Sequence, residues 1–248
     1  MDPYESQRFL RADLWSEFRT RESDQCKGIP APPVQKPAPA GAELIDLIAA
    51  KDLTVGTMPL IDVINKRRSR RSFEDDPLTL EELSFLLWVT QGVQRVVRDG
   101  VATLRAVPSG GARHPFETYL WVNTIEGLDP GLYRYLPVDH KLCVIRRDGA
   151  MASKVVDACA GQKFAGEAAV TFFWTAIPYR TEWRYSIVSP KLIAQDSGHL
   201  CQNLYLAAES IDAGTCGIGA YDQAVADELI GVDGHDEFVV YIAPVGRV

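Results

Sequence analysis

Lys66-Arg67-Arg68-Ser69-Arg70-Arg71-Ser72-Phe73 sets five cationic side chains and two hydroxyls in the seven residues from Lys66 to Ser72. The chain around it is acidic, with 33 Asp and Glu against 26 Lys and Arg, and a formal charge of -7 over 248 residues. The stretch is therefore a local cation cluster and not part of a basic surface. Guanidinium forks match phosphate oxygens two at a time and hydroxyls add neutral donors, so the cluster suits a phosphate. It equally suits a solvated helix end, since a helix expected over about 59–67 carries these cations at its negative pole. Downstream, Pro77-Leu78-Thr79-Leu80-Glu81-Glu82-Leu83 is a helix start. Thr79 and Glu82 form a capping box, and Leu78 with Leu83 a hydrophobic staple. That helix is expected to run to Gln91, with Gly92 as its stop.

Further out, residues 117–124, 131–136, about 141–146, 168–176 and 238–243 read as strands, and the last two are apolar enough to be buried on both faces. Ser189 is expected to cap the longest helix, with Pro190 in its first position and Gly214 just past its end. Gly198, inside that helix, predicts a close helix contact. A last helix is expected over 223–230. This irregular alternation predicts one α+β domain over 42–248, with a mixed or mostly antiparallel central sheet flanked by helices. Upstream, residues 5–20 place Phe9, Leu10, Leu14, Trp15 and Phe18 on one helical stripe, and 28–41 is a Pro-rich, extended spacer. Residues 1–41 thus read as an arm laid over the body or over a partner subunit. A hydrophobic fraction of 46% supports one large core. No apolar run approaches the ~20 residues of a membrane span, and Met1–Glu5 lacks a signal-peptide core. Five widely spaced cysteines with no CxxC indicate reduced thiols. The expectation is a cytoplasmic protein that engages neither membrane nor nucleic acid.

Two further stretches have loop chemistry. Pro108-Ser109-Gly110-Gly111-Ala112-Arg113-His114-Pro115 has the small residues that a ligand lying flat on backbone needs, or is an ordinary turn. Cys216-Gly217-Ile218-Gly219-Ala220-Tyr221-Asp222 offers backbone N–H groups to a ligand, or is a plain helix exit; with two glycines it is no dinucleotide fingerprint. Asp196-Ser197-Gly198-His199 falls within a helix, where Asp196 and His199 share a face as a structural pair. The histidines at 114, 140, 199 and 235 have no metal-ligand spacing, so no metal is expected.

In this order, Arg67-Arg68-Ser69-Arg70-Arg71-Ser72-Phe73, Pro108 to Pro115 and Gly217-Ile218-Gly219-Ala220-Tyr221 resemble the FMN-dependent nitroreductase family, nearest to its SagB-like dehydrogenase branch. Gly131-Leu132-Tyr133-Arg134-Tyr135, Asp196 to Leu204 and Ala243-Pro244-Val245-Gly246-Arg247 add to the likeness, which covers about 58–248. The resemblance implies a nitroreductase-like fold in an intertwined homodimer with FMN at the interface. It implies Arg67, Arg68, Ser69 and Arg71 as phosphate and ribityl ligands. Ser109, Gly110 and Gly111 become a backbone platform from the other subunit, Gly219 and Ala220 the N–H donors toward flavin N5, and Arg247 a second phosphate contact, with Pro108 and Ile218 also among the cofactor-binding residues. The implied activity is hydride transfer from NADH or NADPH through FMN to a small flat acceptor, a nitroaromatic or quinone, by ping-pong kinetics. Two alternatives stand beside it: a SagB-like dehydrogenase acting on a peptide or other specialised metabolite, and a non-catalytic phosphate- or nucleic-acid-binding protein. Azoline-oxidising members of the SagB-like branch are associated with a Lys-Tyr pair, where this chain has Trp183-Arg184-Tyr185. Arginine stays protonated and is a poor general base, which leaves Tyr185 as a substrate contact or proton donor.

Overall fold

The structure, a computed structural model, describes residues 7–248. The arm holds α1 (Leu14–Phe18), and the body follows as β1 (Leu44–Asp46), α2 (Leu60–Lys66), α3 (Leu80–Gln91), β2 (Val93–Val97), β3 (Ala102–Arg105), β4 (Phe116–Val122), β5 (Gly131–Leu136), β6 (Lys141–Arg147), α4 (Ala152–Ala158), α5 (Phe164–Glu167), β7 (Val170–Ala176), α6 (Tyr179–Tyr185), α7 (Ser189–Glu209), β8 (Ala213–Thr215), α8 (Gln223–Ile230) and β9 (Phe238–Arg247). Seven strands form one sheet in the order β1-β6-β5-β4-β7-β9-β8, with every neighbouring pair antiparallel. Each sheet face carries a core. On one, Leu83, Leu86 and Leu87 of α3 and Leu200 and Leu204 of α7 pack on Leu120, Phe172 and Trp174. On the other, Val155 of α4 and Ala226 and Ile230 of α8 pack on Trp121, Phe173 and Ile242. The sheet is thus sandwiched between helices, and β4 and β7, at its centre, are buried at every residue.

Local chemistry accounts for most boundaries. Thr79 and Glu82 close the capping box at the start of α3, and Gly92 ends that helix. Asp222 caps α8 through the Val225 amide, and Gly231 ends it in the left-handed region at φ 79°. Four features differ from expectation. Ser189 is the first residue of α7 and its hydroxyl caps nothing. Gly198 faces open space, with no atom within 4 Å of an added Cβ. Gly214 lies inside β8, not in a helix exit. The hairpin β2–β3 was not anticipated, although Asp99-Gly100 is a turn signal and both residues have positive φ.

The stripe expected over 5–20 reduces to a single turn at Arg8–Leu10 and the five residues of α1, and its first two residues lie outside those described. The first five residues of the chain, read above for a signal peptide, also lie outside. The Pro-rich spacer has no helix or strand, and the body grips its backbone. Trp183 Nε1 donates to Ile29 O at 2.7 Å, Arg105 Nη2 to Val34 O at 2.7 Å and Arg134 Nη2 to Pro37 O at 2.7 Å. Lys36 N donates to Glu117 Oε1 at 2.8 Å. The three donor side chains and Glu117 are buried, so these contacts add partners to charged and polar groups that are costly to bury unsatisfied.

Candidate functional site

The cation cluster leaves α2 at Arg67 and runs along the sheet edge. Ser69 bridges Thr215 in parallel, Arg70 N donates to Thr215 O at 3.0 Å, and Glu74 N donates to Arg247 O at 2.9 Å. Glycine permits this approach at two points: a Cβ at Gly214 meets Arg70, and one at Gly246 meets Phe73. Arg70 turns inward, 3.7 Å from Glu209. Arg67 lies over the Tyr205 ring, 5.4 Å from its centroid. Arg68 folds back on the Asn65 and Arg67 carbonyls, and Arg71 is exposed. Among the described residues, no carboxylate lies within 4.0 Å of the charged groups of Lys66, Arg67, Arg68 or Arg71. These four cations thus stand together on an acidic protein with no internal counter-charge, the electrostatics of a phosphate site.

Tyr205 joins this cluster to the 216–222 loop. Its hydroxyl accepts from the Gly217 amide at 2.8 Å and lies 3.2 Å from Ser69 Oγ. Ile218 pairs with Ile242, fixing the loop to β9. Beyond it Gly219 and Ala220 are exposed, and neither N–H has an acceptor among the described residues. The cluster and these two donors therefore share one end of α7.

The 108–114 loop sits elsewhere. Ser109 Oγ donates to Asp196 Oδ2 at 2.6 Å, the Gly110 amide donates to the same carboxylate, and Ser109 Oγ accepts from the His114 amide at 2.9 Å. Pro108 is exposed beside it. Burial raises the Asp196 carboxyl above the usual range, with the Ser109 and Gly110 hydrogen bonds opposing. Asp196 and Tyr205 are nine residues apart on α7, about 13 Å along its axis. One chain therefore does not bring residues 109–111 onto the cation cluster. Gly111, at φ +61°, packs under Tyr185: a Cβ there lies 2.6 Å from the Tyr185 hydroxyl.

A sequence model of the Nitroreductase family matches residues 64–247. The chain belongs to the nitroreductase family. It is 32% identical to the nitroreductase-type protein MJ1384 of Methanocaldococcus jannaschii over 188 residues, 76% of this chain and 90% of that one. A nitroreductase-type crystal structure from Anabaena variabilis superposes with a TM-score of 0.68 at 27% identity, covering 83% of this chain and 42% of that one. The trifolitoxin-processing protein TfxB of Rhizobium leguminosarum bv. trifolii is 28% identical over 137 residues, 52% of this chain and 36% of its own length. The fold is thus nitroreductase-like, and this chain spans less than half the length of the last two relatives.

Within this nitroreductase fold, Arg247 is already engaged. Its guanidinium forks onto both Glu82 oxygens at 3.0 Å and caps the Ile211 carbonyl at 2.7 Å, tying the last strand to the start of α3. Sequence motifs pass over Tyr205, which carries no local signature, and the one contact they suggest for Asp196 is with His199. That pair exists at 3.9 Å, but the shorter bonds of Asp196 go to the 109–110 loop. A cavity of about 860 Å³ opens over the first turns of α7, lined by Pro178, Ile193, Ser197, Phe238 and Val240 among others; it includes none of the residues expected to bind cofactor.

Proposed function

We propose that this nitroreductase-family chain is an FMN-dependent oxidoreductase that takes hydride from NADH or NADPH and passes it to a small flat acceptor by ping-pong kinetics, as a homodimer. The observation that carries this reading is the set of four cations with no carboxylate within 4.0 Å among the described residues, joined through Tyr205 to the loop that carries the Gly219 and Ala220 N–H groups. The donor set suits FMN. Its phosphate monoester carries about -1.5 to -2 charges at neutral pH, by analogy with phosphorylated side chains. Arg67, Arg68, Ser69 and Arg71 would hold that phosphate and the ribityl chain. Bound there, FMN supplies two-electron hydride transfer at its ring N5. The Gly219 and Ala220 amides would donate toward the ring, and donors aimed at developing negative charge favour its reduced, anionic form. In this reading Ser109, Gly110 and Gly111, held rigid by Asp196, face the flavin of a second subunit. Arg247 remains with Glu82 and acts from behind the cluster, by fixing β9.

Purified protein is expected to be yellow and to bind FMN stoichiometrically. Arg68→Ala should raise the FMN dissociation constant about 10- to 100-fold, the loss of one charge-assisted phosphate contact. An unchanged constant would place the phosphate elsewhere. A second reading, action on a peptide, is supported by the likeness to TfxB. Arg184 weighs against a general base at that position; its guanidinium lies 5.4 Å from the Tyr185 ring centroid. Anaerobic bleaching of bound FMN by an azoline peptide, and not by NADH or NADPH, would favour this second reading.

A further inference from the structure

The geometry points to Trp15 and Phe18 of the arm as positioning residues that limit acceptor size, by fixing Tyr185 over the Gly111 backbone; this rests on the flavin reading above. The three rings form one cluster. Trp15 and Phe18 meet edge to face at 5.5 Å, and their centroids lie 6.2 Å and 6.3 Å from that of Tyr185. On the far side of Tyr185 its hydroxyl lies against Gly111, where no side chain fits. Ser186, directly after Tyr185, has φ +43°, a conformation that a non-glycine residue holds only when its surroundings enforce it.

Helix α7 fastens the arm on one side of this wall and the 109–110 loop on the other. Lys191 Nζ donates to Leu10 O at 2.6 Å and to Arg11 O at 3.2 Å. Leu192 packs on Gly110, and Asp196 binds Ser109 and Gly110. The arm is pinned again by Gln25 N on Trp183 O at 2.9 Å and by the Tyr179 hydroxyl on Asp24 at 3.0 Å. Arm, Tyr185 and the 109–111 loop are therefore tied together through α6 and α7. The segment matched by the family model begins at residue 64, so Trp15 and Phe18 lie outside it. A rigid aromatic wall beside the flavin platform admits a single-ring planar acceptor and obstructs a bulkier one.

The test uses full-length protein and the double variant Trp15→Ala/Phe18→Ala, with Trp15→Phe/Phe18→Leu as the conservative control and circular dichroism to verify folding. Flavin content is read first, from the absorption spectrum. In flavin-loaded protein, the ratio of kcat/KM for a side-chain-bearing naphthoquinone over benzoquinone should rise about tenfold in the alanine variant, mainly through KM, and return toward wild type in the control. Nitration of Tyr185 by tetranitromethane, mapped by peptide mass, should accelerate severalfold in the alanine variant with or without flavin. An unchanged quinone ratio in loaded protein overturns the proposal. Where no flavin is taken up, the cofactor reading falls on its own spectrum, and an unchanged Tyr185 nitration rate overturns the arm's role independently. If the alanine variant fails to fold, the same comparisons are made with Trp15→Leu and Phe18→Leu singly.

Discussion

Burial pushes the His114 imidazole down to about 3, with repulsion from the buried Arg105 guanidinium adding to it. The folded protein therefore holds His114 neutral, while the unfolded chain protonates it near 6.5. As pH falls from 6.5 toward 3, the unfolded state takes up a proton that the folded state refuses, so stability is lost with acidification by up to roughly 1.4 kcal/mol per pH unit. His114→Asn, which suits the left-handed backbone at φ 45°, should flatten that slope in urea titrations at pH 7 and pH 5. At this scale the sequence showed the ligand-type residues and hid their partners. Ser69, Arg67 and Gly217 were each visible as members of motifs, but the tyrosine linking them lies 136 residues from Ser69. The bond from Ser109 to Asp196 spans 87 residues and leaves no local pattern. Arg247 was legible as a cation and not as the partner of Glu82, for the same reason.

The helix with a full set of termination signals was legible to the residue: α3 begins and ends where its capping box and Gly92 place it, whereas α8 was expected by its span alone and the structure supplies its Asp222 cap and Gly231 stop. Buried strands were legible too, because β7 is apolar at nearly every position. The three-residue strands β1 and β8 were not, since pairing with β6 and β9 creates them and no intrinsic pattern of that length does. The edge contact of β8 with the cation stretch yields a prediction at this level. Gly214→Ala drives a methyl group into Arg70, so it should destabilise the protein by about 1–3 kcal/mol. It should also loosen FMN by shifting residues 69–71. Gly149→Ala, where an added Cβ meets nothing within 4 Å, should stay within about 0.5 kcal/mol. Urea midpoints for the two variants and an FMN titration of each separate the effects.

At the level of the whole molecule, α2 carries Leu60, Ile61 and Ile64 at 64%, 64% and 51% exposure, an apolar face that the single chain leaves in water. Gly198 on α7 likewise faces open space. Both observations accord with the proposed homodimer. Sedimentation should give twice the 27.4 kDa chain mass, and Ile61→Asp with Ile64→Asp should yield monomers with weakened FMN binding. The α+β class and its antiparallel sheet were legible from strand spacing. The path of the arm was not, because a Pro-rich stretch has no periodic face to read. The body holds that stretch through the main-chain oxygens of Ile29, Val34 and Pro37, which every amino acid offers alike. Apart from Gln35, bonded to Asp139, and Lys36, paired with Glu237, its side chains are accordingly at liberty to drift over evolutionary time while its route across the surface is retained. Distant kin can then share the trajectory long after their letters there have ceased to align.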